Sequence, residues 1–283
     1  MKKTIILILA LVMLLACFGA CAKTEKPAPA DGTDTPAADG GTNAAENAAR
    51  KFIVGFDAEF PPFGFIAADG SYDGFDLAVA EEVCKRSGWE FVAQPIAWDS
   101  KDAELSGGNI DCIWNGFTYE GREDDYAWTP AYYDSSIVMV VRADSGISSL
   151  ADLEGKNVIT QADSSALAAL NADPILTDSF AQLLECADYN SAFMELEMGT
   201  ADAVAADIGV AEYNMVGKED KFTVMDDPIS VETYAIGFLK GNDALAAEVW
   251  EVVKEIADDG TMAAIADKYV EYGLVKENIC IIG

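Results

Sequence analysis

The sequence predicts an α/β protein of two lobes, each a mostly parallel sheet flanked by helices. Three observations favour this class. Short apolar, β-branched runs alternate with longer amphipathic segments, which is the pattern of parallel βαβ units. The pattern stops and then restarts near residue 140, which separates two such units. The length of 283 residues corresponds to about two domains.

The first residues have the features of an export signal. Two lysines precede an apolar run at 5–16, which is too short to span a membrane as a helix. Cys17 and Cys21 follow, each after an alanine, and both resemble the site at which a bacterial lipoprotein is cut and lipidated. We expect a lipoprotein signal peptide at 1–20 and lipidation at Cys21, with Cys17 as the alternative. An ordinary secretory signal with chance cysteines is the other interpretation.

Residues 21–50 are rich in Ala, Gly, Pro and Thr and contain no aromatic residue. Such a segment buries too little apolar surface to fold. We therefore expect a disordered tether that holds the protein, lipid-anchored, at the outer face of the cytoplasmic membrane.

Composition excludes several classes of function. The chain has 49 acidic and 18 basic residues, no His and a formal charge of −31, which argues against a nucleic-acid partner. The lack of His removes the commonest general base and metal ligand. No cysteine pair has the C-x-x-C spacing of a metal or dithiol site. We predict no catalytic residue, metal or cofactor, and we expect a monomer.

Four cysteines lie in the folded part. Cys84 and Cys112 fall in apolar patterns and are expected to be buried free thiols. Cys186 and Cys280 allow a disulfide in an exported chain, but their spacing does not establish one.

The first lobe is expected to begin with a strand at 52–56. The strand leads into a loop held by two prolines, with Asp57 and Phe60 beside the strand end. A helix capped by Asp76 and a strand at 89–94 follow, and Trp98 lies just beyond that strand. In an open α/β sheet the ligand crevice lies beyond the carboxyl ends of the strands, so these residues are candidates to line it.

The segment I-D-C-I-W-N-G-F-T-Y-E-G-R, which ends at Arg122, changes from a buried-strand pattern to a polar loop. Gly116 allows close approach of the backbone to a ligand, Thr118 offers a hydroxyl and an N–H, and Arg122 offers a planar fork for a carboxylate. The alternative is a surface loop in which Arg122 pairs with Glu120 or Asp124.

The pattern restarts with strands expected at 136–141, 156–160 and 201–207. A strand at 233–239 leads back, and two final helices have no strand after them, so they should pack on the first sheet. We expect lobe 1 to comprise residues 51–138 and 234–283, and lobe 2 to comprise 139–233, with a two-stranded hinge.

Six short motifs occur in a characteristic order: G-F-D-A-E-F-P-P-F from Gly55, G-F-D-L from Gly74, N-G-F-T from Asn115 with Arg122 beyond, D-L-E-G-K from Asp152, A-D-A-V-A-A-D ending at Asp207, and D-G-T from Asp259. With them, the chain from Phe52 to Tyr272 resembles the polar amino-acid-binding proteins of bacterial ABC importers, the family-3 solute-binding proteins. The resemblance implies a two-lobed periplasmic-binding-protein-like fold of type II and ABC permease subunits as partners.

The resemblance also implies ligand contacts. Arg122 is expected to bind the α-carboxylate of an amino acid, assisted by the N–H groups of Thr118 and Ser165. Asp207 is expected to bind the α-ammonium, assisted by the Gly116 carbonyl and the Thr118 hydroxyl.

The ligand side chain is expected to lie between Phe60 and Trp98, with Asp57 at its far end. Ser164 is either a further contact or a helix cap. Two departures from the family affect this site: the loop before Arg122 is one residue short, and Asp163 stands where a glycine is usual.

We expect an extracytoplasmic binding protein that captures a polar amino acid, with Asp57 and Glu59 favouring a cationic side chain. The alternatives are an exported enzyme of the same fold acting on a small carboxylic acid, with Asp57 and Glu59 as an acid/base pair, or an extracellular sensor domain.

Overall fold

The computed structural model describes residues 49–281. The expected signal peptide, both candidate lipidation cysteines and nearly all of the expected tether lie outside this range. The described residues belong to one compact unit. Within the described residues, no helix has the length and apolar character needed to cross a membrane.

The first lobe is built on a five-stranded sheet. Its strands are β1 (Lys51–Phe56), β5 (Glu90–Pro95), β6 (Cys112–Ile113), β7 (Tyr126–Trp128) and β14 (Gly237–Leu239), in the spatial order β5-β1-β6-β14-β7. β1 is parallel to β5 and β6, whereas β14 is antiparallel to β6 and β7. A small antiparallel sheet of β2 (Glu59–Phe60), β3 (Gly64–Ile66) and β4 (Tyr72–Asp73) lies after β1 in the chain.

Four helices belong to this lobe: α1 (Phe75–Ser87), α2 (Lys101–Ser106), α7 (Asp243–Asp258) and α8 (Thr261–Ala266). The buried stripe of α7 includes Leu245, Val249 and Val253, and α7 and α8 both contact α1. The two C-terminal helices therefore pack on the first lobe, since its sheet offers the apolar face that they need.

The second lobe is built on a six-stranded sheet. Its strands are β8 (Tyr133–Arg142), β9 (Asn157–Gln161), β10 (Gln182–Cys186), β11 (Ala203–Asp207), β12 (Phe222–Val224) and β13 (Ser230–Tyr234). The spatial order is β10-β9-β11-β8-β12, and β13 also pairs with β8. The helices of this lobe are α3 (Ser165–Ala172), α4 (Pro174–Thr177), α5 (Tyr189–Met198) and α6 (Ile208–Met215). The two-lobed α/β architecture is confirmed.

Two antiparallel strands, β8 and β13, connect the lobes. They pair from Tyr133 opposite Tyr234 to Ile137 opposite Ser230. The boundary expected between residues 138 and 139 falls inside β8, because this strand joins the second sheet from Tyr133 onwards. The single strand expected at 233–239 is two strands, because β13 pairs in the second sheet and β14 in the first.

The four cysteines of the described residues are free thiols. Cys84 and Cys112 are buried, as expected. The Cys186 thiol contacts the carbonyl oxygens of Thr160 and Asp188, whereas the exposed Cys280 thiol lies near the carbonyl of Ala131. The two are therefore not bridged in this structure.

Asp76 is not the cap of α1. The helix is capped at Gly74, and the Asp76 side chain, which is fully buried, turns inward from the first turn of the helix. Its Oδ2 accepts hydrogen bonds from the Gly116 N–H (2.6 Å) and the Tyr132 hydroxyl (2.7 Å). One buried carboxylate therefore joins α1 to the loop after β6 and to the segment that enters the hinge.

Burial raises the pKa of Asp76 to about 7, although its hydrogen bonds to Tyr132 and Gly116 act against this. An acid with a raised pKa binds more protons in the folded than in the unfolded chain. The free energy of unfolding should therefore fall as the pH rises from the ordinary value of 3.8 to about 7. The fall due to Asp76 alone should reach up to about 4 kcal/mol.

We expect Asp76→Asn to remove this contribution while its amide oxygen still accepts both hydrogen bonds. Urea unfolding at pH 4.5, 6 and 7.5 measures the free energy of unfolding of both proteins. The difference in unfolding free energy between variant and wild type should move in favour of the variant as the pH rises. A difference that stays constant across this range contradicts the assignment.

Candidate functional site

Arg122 lies in the loop after β6 and lines a cleft between the two lobes. Its guanidinium donates to the carbonyl oxygens of Thr118 and Asp163, each at 3.3 Å. Among the described residues no carboxylate oxygen lies within 4.0 Å of it. Glu120, the alternative partner, instead accepts from the backbone N–H and the hydroxyl of Thr233. The guanidinium therefore keeps its charge available at the cleft.

Asp207 ends β11 and precedes α6, yet its side chain makes no capping hydrogen bond to that helix. The carboxylate is buried, and its Oδ1 accepts from the Tyr234 hydroxyl at 2.6 Å. Burial raises the pKa of Asp207, while the Tyr234 hydroxyl and the charge of Arg122 act against the rise. A buried acid from lobe 2 is thus placed near the free arginine of lobe 1.

The loop before α3 supplies lobe 2's other polar groups. Ser164 is the N-cap of α3: its hydroxyl accepts from the Leu167 N–H and donates to the Gln161 carbonyl. Ser165 is the first residue of α3, and both serines line the cleft. The N-terminus of an eight-residue helix therefore faces the side of the cleft that carries Arg122.

Asp163 adopts a φ of +57°, the region that glycine occupies without strain. Its carboxylate forms an ion pair with Lys101, an almost fully buried residue of α2. Its carbonyl oxygen accepts from the Trp98 indole at 3.2 Å and from Arg122. The negative charge that would repel a ligand carboxylate is therefore matched by a cation, and three lobe-1 residues contact one residue of lobe 2.

Asp57 lies at the opposite end of the site. Its backbone N–H donates to Asn115 Oδ1 at 2.7 Å, and its Oδ2 accepts from the side-chain amide of Gln161 at 2.6 Å. Gln161 ends β9 in lobe 2, so this buried hydrogen bond crosses the cleft. Burial raises the pKa of Asp57, and the hydrogen bonds from Glu59 and Gln161 act against the rise.

Two further acids lie near Asp57. Glu59 projects from β2 and Asp188 caps α5 in the other lobe. Hydrogen bonding to Asp188 and then burial raise the pKa of Glu59 to about 7. In residues 49–281, no lysine or arginine nitrogen lies within 4.0 Å of a carboxylate oxygen of Asp57, Glu59 or Asp188.

Phe60 is buried and its ring lies 6.0 Å from that of Tyr189, the first residue of α5. Gly116 adopts a φ of +54°, and a Cβ there would lie 2.7 Å from Phe60 Cε1 and 3.1 Å from Tyr234 Cε2. Gly116 is therefore required for the backbone to approach both rings.

Trp98 packs edge-on against Phe117, with ring centroids 5.5 Å apart. Its face lies near the ammonium of Lys101, 5.3 Å from the ring centroid. The structure thus places Phe60 against Gly116 and Tyr189, and Trp98 beside the Lys101–Asp163 pair.

The cleft that Arg122 lines has a volume of about 460 Å³. Residues from both lobes contribute to it, and charged and hydroxyl side chains predominate. They include Lys101, Thr118, Arg122, Asp163, Ser164, Ser165 and Glu232. Between residues 49 and 281, no cluster of His, Cys, Asp or Glu has the arrangement needed to hold a metal ion.

Sequence reasoning missed several residues of this site: Lys101, Gln161, Asp188, Tyr189, Glu232 and Tyr234. Gln161 had a visible signal, because it is the last residue of β9 and so lies at the carboxyl end of a parallel strand. Glu232 and Tyr234 lie two residues apart in the hinge strand, so their side chains share one face. The sequence does not indicate which face of this strand is buried. Lys101 resembled an ordinary surface lysine of a short helix.

The chain is similar to several known proteins. A family model described as bacterial extracellular solute-binding proteins, family 3, matches residues 52–272. The L-cystine-binding protein TcyJ of Escherichia coli (strain K12) is 27% identical over 231 residues, 79% of this chain and 84% of that protein. The L-cystine-binding protein TcyA of Bacillus subtilis (strain 168) is 26% identical over 272 residues, 95% of this chain and 97% of that protein.

A crystal structure of an ABC uptake transporter substrate binding protein from Streptococcus pneumoniae with bound histidine superimposes with a TM-score of 0.75. It is 31% identical, and the match covers 80% of this chain and 94% of that chain. The chain therefore belongs to family 3 of the bacterial extracellular solute-binding proteins: it has the type II periplasmic-binding-protein fold and is an amino-acid-binding protein of an ABC importer.

Proposed function

We propose that the two lobes close on one free amino acid, which Arg122 and Asp207 hold at opposite ends of its backbone. The observation that carries this proposal is that Arg122 of lobe 1 has no carboxylate partner within residues 49–281, while lobe 2 presents the buried Asp207, whose side chain does not cap a helix. A zwitterion satisfies both groups at once. Each charge-assisted contact gains strength when closure removes water.

The guanidinium of Arg122 binds the carboxylate of the ligand. The N–H groups of Thr118 and of Ser165, at the start of α3, assist it. The ammonium of the ligand donates to Asp207, the Gly116 carbonyl and the Thr118 hydroxyl. Phe60 and Trp98 flank the side chain, and Ser164 supports the site as the cap that holds α3 in place.

The ligand side chain extends toward Asp57. Three acids, Asp57, Glu59 and Asp188, lie at this end, and burial or mutual contact raises the pKa of Asp57 and Glu59. A cationic side chain offsets this cluster, so lysine, arginine and histidine are the favoured ligands. The solved structure with bound histidine is consistent with such a class.

Ligand binding favours the closed form because its contacts come from both lobes. Protein contacts already cross the cleft at each end. Lys101 pairs with Asp163 on one side, and Gln161 donates to Asp57 on the other. The Lys101–Asp163 pair acts as a latch on the closed lobes.

Export follows from the extracellular family to which the chain belongs. We further propose that the chain is lipid-anchored through Cys21 (alternatively Cys17), is a monomer, and delivers its ligand to ABC permease subunits without chemical change. The enzyme alternative would use Asp57 and Glu59, but Asp57 is occupied by hydrogen bonds from Gln161 and from the backbone of Glu59.

A thermal-shift screen tests the proposal directly. The compact unit, residues 47–283, is heated with each of the twenty amino acids and with small keto and hydroxy acids. An amino acid present at about a hundred times its Kd should raise Tm by roughly 5 to 10 °C. Arginine, lysine or histidine should give the largest shift and be recovered unchanged. A response restricted to keto or hydroxy acids, or conversion of the ligand, contradicts the proposal.

Arg122→Ala and Asp207→Ala should each fold but weaken binding at least about a hundredfold, the scale of losing a buried charged partner. Isothermal titration with the amino acid found in the screen measures the loss. Arg50→Ala and Asp227→Ala, which alter exposed residues outside the cleft, serve as matched controls and should bind normally. If either site variant binds with the affinity of wild type, the substituted residue is not part of the binding site.

Lys101→Met should speed ligand dissociation roughly fivefold, a modest effect because the Asp163 side chain is about half exposed. Stopped-flow displacement measures the rate. Lys254→Met, which breaks a surface pair within α7, should leave it unchanged. Equal dissociation rates in all three proteins show that the Lys101–Asp163 pair is not a latch.

A further inference from the structure

Glu232 lies in the middle of the hinge strand β13, opposite Ser135 of β8. Its neighbour Val231 is 76% exposed, whereas Glu232 is only 5% exposed and shares the buried face of the strand with Tyr234. The Glu232 side chain lines the same cleft as Arg122. A carboxylate from the hinge itself therefore points into the ligand site.

One oxygen of this carboxylate is buried without a partner. Oε1 of Glu232 makes no hydrogen bond to any group in residues 49–281. Burying an unpaired carboxylate oxygen costs free energy that the fold does not recover locally. An unpartnered oxygen on a residue that lines the cleft indicates a hydrogen-bond donor that arrives with the ligand.

The groups around Glu232 are those proposed to surround the ligand's backbone. Burial, the charge of Asp207 and a hydrogen bond to Asp207 raise the pKa of Glu232, while the hydroxyls of Ser165 and Thr118 act against the rise. Asp207 and Thr118 are the groups assigned above to the α-ammonium. Glu232 is thus beside the ammonium position and not at the acidic far end of the cleft.

We propose that Glu232 is a second carboxylate of the ammonium-binding site, so that the α-ammonium of the ligand is held between Asp207 and Glu232 and has to be primary. The inference rests on the proposed function, because it assumes that an amino acid occupies the cleft. It assigns a binding role to a residue outside the set proposed above.

The hydrogen-bond count supports a requirement for a primary ammonium. Such a group has three N–H donors, which match Asp207, Glu232 and the Gly116 carbonyl once the Thr118 hydroxyl donates to Glu232. A secondary amine offers two donors and leaves one buried acceptor unpaired, and an α-hydroxy acid brings no positive charge.

Without the ammonium, two adjacent buried carboxyls resist ionising together, so they share a proton. The other charged or titratable groups that face the pair are Arg122 from the loop after β6, Tyr189 from the start of α5 and Tyr234 from β13 itself. Entry of the ammonium stabilises both ionised carboxylates. Binding at pH 7 should therefore release up to about one proton.

The test compares L-arginine with L-argininic acid, its α-hydroxy analogue, on wild type and on Glu232→Gln. Isothermal titration is run at pH 7 in two buffers of different ionisation enthalpy. We expect Glu232→Gln to weaken L-arginine binding at least about tenfold, to change argininic acid binding far less, and to abolish most of the proton release. If the thermal-shift screen selects another amino acid, that amino acid and its α-hydroxy acid replace the pair.

The control is Glu185→Gln, which makes the same chemical change at an exposed residue of β10 in lobe 2 and should match wild type. An unchanged or tighter affinity in Glu232→Gln, or an equal loss for both ligands, overturns the role of Glu232. Failure of wild type to bind any amino acid is a different result, since it overturns the proposed function itself.

Discussion

The ligand loop depends on the buried carboxylate of Asp76. Its hydrogen bonds to the Gly116 N–H and the Tyr132 hydroxyl fix the loop after β6 against α1 and against the chain as it enters the hinge. A second buried contact, from the Asp57 N–H to Asn115 Oδ1, fixes the same loop to the end of β1. Because both contacts lie in the interior, the loop presents Thr118 and Arg122 from a rigid base rather than from a flexible surface.

The cleft concentrates charge that the protein does not neutralise alone. Arg122 lacks a carboxylate partner among the described residues, whereas Asp207 and Glu232 are buried acids held next to one another. Two adjacent buried acids lower the stability of the protein, and in the proposed complex a zwitterion supplies both missing charges. The hinge strand contributes Glu232 itself and Tyr234, whose hydroxyl donates to Asp207. Under this proposal, ligand recognition and lobe closure use the same strand.

Asp163 shows how a departure from the family pattern is accommodated. The residue keeps the positive φ that glycine would adopt, and its carboxylate is matched by Lys101 from the opposite lobe. The negative charge of Asp163 therefore forms an ion pair between the lobes. The site thus gains a direct contact between the two lobes.

The sequence by itself determined the α/β class, the order of its main strands and helices, and the motif positions of Asp57, Thr118, Arg122 and Asp207, because hydrophobic periodicity and strand-end loops are local properties. It misjudged Asp76 as a cap, because an aspartate in the first helical turn has the same local pattern whether it faces solvent or the core. Only the tertiary structure decided the split of the expected strand 233–239 between two sheets, the placement of Lys101 and Glu232 in the cleft, and the hydrogen bond from Gln161 to Asp57. These depend on contacts between residues distant in the chain, for which no short segment carries a signal.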